Sequence, residues 1–207
     1  CNKRIVRWFN SRTSKNVKGL VMEYVEKTNY QFDLDQLNFE WNHIKDFILT
    51  KDHWHLNRTC LQHSKTCVNQ YTEGLQGDVF RADASVPASD FYLINDIYRG
   101  TLFEEIINIL NVVSSRIKVI DEHWRGTSVH IDRTKRSHLA LNTNPNAHFI
   151  FPRNPIEKRE TEIIHIPADG YVYKVDTTKP HTLHPARIQA FGIPKEYSRT
   201  HLIMCHG

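Results

Sequence analysis

The chain has 207 residues and a mass of 24.3 kDa, with 40% hydrophobic residues, 24% charged residues and a mean hydropathy of -0.52. No apolar run approaches the roughly 18 residues that a bilayer helix needs, so a membrane-spanning helix is excluded. The net charge of +4 and pI of about 8.9 come from Lys and Arg residues spread along the chain, which argues against a nucleic-acid footprint and suits a small anionic ligand.

One domain is expected to hold residues 1–207, with 1–115 as a helical flank carrying a lid loop and 116–207 as a β-rich core. Cys1, Cys60, Cys67 and Cys205 make neither a disulfide framework nor a CxxC metal pair, which fits thiols in a reducing, cytoplasmic compartment. The first residues carry no signal-peptide core, while an opening Cys1 leaves room for a trimmed targeting segment. Asn57-Arg58-Thr59 spells a glycosylation acceptor that matters only in a secretory lumen.

In chain order, Val17, Leu20, Val21, Tyr24 and Val25 recur at helical spacing and predict a short helix over residues 16–28. Asp33 stands three before Gln36 like a capping box. Leu34, Leu37, Trp41, Ile44 and Ile48 then trace one apolar stripe, which predicts the firmest helix of this half. Trp54, Leu56 and Thr59-Cys60-Leu61 suit a strand. Residues 64–89, with Gly74 and Gly77, are expected to form a long loop at a pocket mouth.

After Gly100, Thr101 and Glu104 form a second capping box. Leu102, Phe103, Ile106, Ile107, Leu110 and Val113 give that helix a face broad enough to require a sheet. Beyond Arg116 the period drops to two. Short strands are predicted around Ile117 and Val119 and over 128–132, 136–141, 147–151, 162–166, 171–176, 180–183, 187–190 and 199–204, with turn residues such as Asp169-Gly170 between them. Helices first and antiparallel strands afterwards indicate an α+β fold whose sandwich or barrel is flanked by the N-terminal helices.

Within that pattern, His130 and Asp132 lie two apart and project to one face of a strand. An imidazole and a carboxylate at that spacing supply two ligands of a metal, and His181 is the candidate third. Two histidines and one carboxylate leave the far side of a ferrous ion open for substrate and oxygen. His184 is near enough in sequence to compete with His181. Arg136 and His138 follow a plausible turn at 133–135 and face inward with the pair; Arg199 and His201 share one face of the last strand. Two arginines and several histidines around an enclosed site suit an anion.

These motifs resemble the aspartyl/asparaginyl β-hydroxylase family: His130-Ile131-Asp132, the run from Arg136 to Pro145, the run from Ala168 to Thr177, His181, and Arg199-Thr200-His201-Leu202-Ile203. The likeness covers the C-terminal half, in order. It implies an iron(II) and 2-oxoglutarate dependent oxygenase with a double-stranded β-helix, or jelly-roll, core that uses molecular oxygen. It makes His130 and His181 the iron-binding histidines and pairs Arg199 with the distal carboxylate of 2-oxoglutarate, with Arg136 and His138 as further cosubstrate contacts. The expected substrate is an amino-acid side chain, in a peptide or protein or as a free amino acid.

Two departures stand out. The animal enzyme that names the family has a glycine where this chain has Asp132, which sets this sequence nearer the general HxD…H pattern and the bacterial and phage members. The gap between His181 and Arg199 is also long, with residues 185–194 inserted. The rivals are a zinc hydrolase using His130, Asp132 and His138, and a noncatalytic peptide-binding module of the same fold.

Overall fold

The computed structural model describes residues 24–50, 58–67, 69–72, 90–120, 126–154, 156, 160–184 and 199–206. Eleven strands and two α-helices occur among them: β1 (Val25–Gln31), α1 (Leu34–Thr50), β2 (Arg58–Cys60), β3 (Gln62–His63), β4 (Leu93–Ile94), α2 (Leu102–Ile109), β5 (Ser114–Ile120), β6 (Arg136–Asn142), β7 (His148–Phe151), β8 (Glu162–Ile164), β9 (Tyr171–Val175), β10 (Thr182–His184) and β11 (Arg199–Cys205). A 3-10 turn at Asp96–Tyr98 precedes α2.

The strands form a six-stranded sheet in the order β1-β9-β6-β11-β5-β2, a three-stranded sheet β10-β7-β8 and the small ribbon β3-β4. Every ladder is antiparallel. An isolated bridge, His130 to His181, lies just ahead of β10. From β5 onward the chain passes between the sheets: β5 in the large one, the His130 bridge beside the small one, β6 large, β7 and β8 small, β9 large, β10 small, β11 large. This alternation is consistent with a jelly-roll-like fold.

Period two decides what each sheet face meets. Leu139, Leu141, Leu202, Met204 and Ile117 turn to the helices and share a core with Leu37, Trp41, Phe103 and Ile106. Ala140, Tyr173 and Val175 turn the other way and pack with Phe149, Phe151, Ile164 and Leu183 of the small sheet. Covered on both faces, β11 is buried at all seven positions. The position of His138 and of Arg199-x-His201 in this alternation aims them between the sheets, away from the helices.

The two helices form where the apolar stripes lie. Asp33 Oδ1 accepts from the Gln36 amide at 3.0 Å and starts α1. At α2 the expected box does not form: Thr101 makes no side-chain cap bond, its amide donates to the Tyr98 carbonyl at 3.3 Å, and Glu104 Oε2 accepts instead from the Gly100 amide at 2.6 Å. Glu40 of α1 also accepts from the Leu102 amide at 2.8 Å, which satisfies an orphan donor at the start of α2.

One expected helix is overturned. Of residues 16–28, those up to 23 lie outside the described residues, and Val25–Gln31 is strand β1, paired with β9. Tyr24 stacks on Phe151 at 4.6 Å and Val25 lies opposite Val175, so tertiary pairing overrides a local spacing that fitted a helix. The second helix also ends earlier than its stripe suggested, with Leu110 as its C-cap. The 128–132 segment contributes one bridge and no full strand, and residues 187–190 lie outside the described residues, as does most of the 64–89 loop. Cys60, Cys67 and Cys205 are thiols. No helix among the described residues is long and apolar enough to cross a membrane.

Candidate metal centre

His130 and His181 face each other through reciprocal backbone hydrogen bonds: the amide of each donates to the carbonyl of the other at 2.9 Å. Their rings lie 4.4 Å apart. Each ring is then oriented by its own neighbourhood. Nδ1 of His130 lies 2.8 Å from the Ser128 carbonyl, and Nδ1 of His181 lies 2.9 Å from the Lys179 carbonyl. A carbonyl only accepts, so both rings carry their hydrogen on Nδ1 and present a lone pair at Nε2.

Asp132 meets those lone pairs. Its amide donates to the Thr177 carbonyl at 2.8 Å, and the Thr177 hydroxyl donates to the Thr134 carbonyl at 2.6 Å, which pins the loop on both sides of the aspartate. His181 Nε2 is 3.6 Å from Asp132 Oδ2, and His130 Nε2 is 3.9 Å from Oδ1. One donor atom from each of the three residues lies within 4.8 Å of the others, a grouping that can hold a metal ion. Asp132 Oδ2 is buried without a hydrogen-bond partner, a costly arrangement for an anion unless a cation completes it. The residues therefore fit a divalent metal.

The other expected residues assemble beside this group. Arg136 donates from Nη2 to Asp132 Oδ1 at 2.7 Å. The ring of His138 packs edge-on to Phe149 at 5.1 Å and lies 5.9 Å from that of His201. Arg199 is 3% exposed, stands 5.2 Å from the Phe149 ring and donates to His201 Nδ1 at 3.0 Å. His184 is exposed and pairs with His148, away from the cluster. Neither it nor His138 belongs to the three-donor group.

The space is cationic. Burial pulls the Arg199 guanidinium down to about 9. Burial, and then the nearby Arg199, Arg136 and Arg116, hold His138 well below the ordinary imidazole range; burial and Arg199 do the same for His201. Burial also lowers Lys118 to about 7, helped by Arg116, Arg58 and Arg199. A buried anion relieves each of these repulsions.

Three contributors, Phe149, Arg116 and Lys118, are not singled out by the sequence. Phe149 touches both His181, at 6.4 Å between rings, and Arg199, and so forms the floor between the metal group and the arginine. Arg116 and Lys118 alternate on β5 with Ile117 and Val119, the apolar members on which the sequence expectation for that strand rests. Period two around Ile117 was the signal that would have placed them on the site face.

No protein-family model matches this chain, and no curated protein does. Among solved structures, the chain is similar to a truncated form of the viral collagen prolyl hydroxylase of Paramecium bursaria Chlorella virus-1. The identity is 10%, the match covers 96% of this chain and 100% of that one, and the TM-score is 0.43.

Proposed function

We propose that this chain is an iron(II) and 2-oxoglutarate dependent oxygenase with a double-stranded β-helix core, hydroxylating an amino-acid side chain in a peptide, a protein or a free amino acid. The carrying observation is the convergence of His130 Nε2, the Asp132 carboxylate and His181 Nε2, with both Nδ1 positions anchored to backbone carbonyls. Two imidazoles and one carboxylate form the donor set of ferrous oxygenases and leave half of a six-coordinate ion open. The motif resemblance over the C-terminal half supports the same reading.

His130, Asp132 and His181 would hold the metal, and Arg199 would grip the distal carboxylate of 2-oxoglutarate from beyond Phe149. Its burial makes that pairing strong, since a desolvated guanidinium gains most from a carboxylate. His138 presents two buried ring nitrogens without hydrogen-bond partners to the same space and would contact the cosubstrate. Arg136, which the resemblance also turns toward the cosubstrate, has its Nη2 on Asp132 and a buried Nε without a hydrogen-bond partner. His201 orients Arg199. Bound iron, with 2-oxoglutarate and oxygen, supplies the oxidising power for C–H hydroxylation, the cosubstrate leaving as succinate and carbon dioxide. Phe149 and Phe151 exclude water beside His181.

The test is anaerobic loading of the full chain with ferrous iron, titration with 2-oxoglutarate, and succinate measurement after air is admitted with pooled peptides and amino acids. Binding of 2-oxoglutarate that needs iron and is lost in His130→Ala supports the reading. Absence of both 2-oxoglutarate binding and succinate overturns it, and preferential loading with zinc would favour the hydrolase.

A further inference from the structure

We infer that Arg136 is a positioning residue that reserves one oxygen of Asp132 for itself, so that the carboxylate offers the metal a single oxygen. The inference rests on the reading of His130, Asp132 and His181 as metal ligands and goes beyond it, because it assigns different jobs to the two oxygens of one side chain.

Asp132 Oδ1 receives Arg136 Nη2 at 2.7 Å, a charge-assisted bond between side chains 2% and 11% exposed. Oδ2 has no hydrogen-bond partner and lies 3.6 Å from His181 Nε2, whereas Oδ1, which already holds Arg136, lies 3.9 Å from His130 Nε2. The oxygens are therefore not equivalent before any ion arrives. The loop that joins the two residues is pinned at the Asp132 amide and at the Thr134 carbonyl, both through Thr177. Chelation of an ion with both oxygens would set the ion in competition with the arginine for Oδ1.

A carboxylate without such a partner can bind a cation through one oxygen or two. With two, it would take a fourth position on the ion and leave two for a chelating 2-oxo acid and oxygen, which together need three. Arg136 thus keeps the protein's share of the ion at three positions. The family resemblance instead gives Arg136 a direct contact with the cosubstrate, and its unpartnered buried Nε leaves that contact physically open. The two roles predict different couplings.

The experiment uses the full chain with cobalt(II) as probe, whose visible absorption reports coordination number. Affinity is measured for wild type, Arg136→Ala, Arg136→Lys, Asp132→Ala and the Asp132→Ala/Arg136→Ala double variant, and 2-oxoglutarate affinity is measured on each cobalt-saturated form. A ligand-orienting partner is worth about 10- to 100-fold in metal affinity. Arg136→Ala should lose that much and shift the cobalt spectrum, and Arg136→Lys, which fills the space without the fork, should fall between. In the Asp132→Ala background, removing Arg136 should change cobalt affinity by less than about twofold, since nothing is left for it to orient.

Wild-type cobalt affinity and spectrum in Arg136→Ala would overturn the inference, as would an undiminished Arg136 effect on cobalt when Asp132 is already gone. A variant that fails to fold is recognised by far-ultraviolet circular dichroism, and Arg136→Lys then carries the comparison. Failure of the wild-type chain to bind cobalt or iron would sink the metal reading itself, a result separable from an intact metal site indifferent to Arg136.

Discussion

Arg199 donates from Nη2 to Nδ1 of His201, two residues along the same strand, across 3.0 Å, with both side chains buried. The imidazole accepts that bond only when Nδ1 is unprotonated, and its strong downward shift, from burial and then from Arg199 itself, keeps it so. A neutral histidine thereby fixes the direction of a buried cation.

Arg199→Ala should lower 2-oxoglutarate affinity about 30- to 1000-fold, the equivalent of the roughly 2–4 kcal/mol typical of a desolvated charge pair. His201→Ala should cost about tenfold, because it removes one orienting bond of about 1–2 kcal/mol. Isothermal titration of metal-loaded protein measures both. Cobalt affinity should stay as in wild type, since neither residue lies in the three-donor group.

Stability should fall on acidification through the buried histidines. In the unfolded chain His138 and His201 take up a proton near pH 6.5, whereas in the fold both resist protonation until well below that value. Their contribution is therefore whole above pH 6.5 and is lost as pH falls below it, by up to about 1.4 kcal/mol per pH unit for each histidine. Urea midpoints at pH 6.5 and 5.5 should differ accordingly, and His201→Gln should shrink the difference.

Gly170 sits at φ +76, and a Cβ there would lie 2.5 Å from the Phe32 carbonyl oxygen. The Phe32 amide also donates to the Gly170 carbonyl at 2.9 Å, joining the end of β1 to the start of β9. Gly170→Ala should cost about 1–2 kcal/mol from the left-handed backbone alone and more from the close approach, visible as a lower melting temperature.

Phe103→Ala should be the severer lesion. Phe103 is fully buried between α2 and the large sheet and packs edge-on to Tyr98 at 5.8 Å. A loss of about 3–5 kcal/mol is expected in chemical denaturation, with cobalt affinity unchanged in the folded fraction.

The residues that period two could order were legible in sequence. His130 and Asp132 lie two apart and do converge, although their segment makes one bridge and not the strand that alternation assumes. His184 lies an odd number of residues from His181, so alternation alone already sets it on the opposite face, where it is exposed. Arg136 and His138 share a face of β6 as their spacing suggests, while on β11 the register against β6 shifts between Thr200 and His201, an irregularity that no spacing announces. What could not be read was pairing between distant segments: β1 fitted a helical stripe until Val25 found Val175, 150 residues away. The division of labour between the two Asp132 oxygens depends on a pinned loop that no spacing encodes.

The backbone bridge between His130 and His181 bears on how an ion would enter. Because each residue holds the other's amide and carbonyl, the distance between the two imidazoles is set by sheet geometry during folding. An arriving cation would then be captured by a receptacle already in shape, without having to organise the chain around itself. The protein should accordingly fold before it is charged with metal, and a chelator should strip the ion while leaving the two sheets standing.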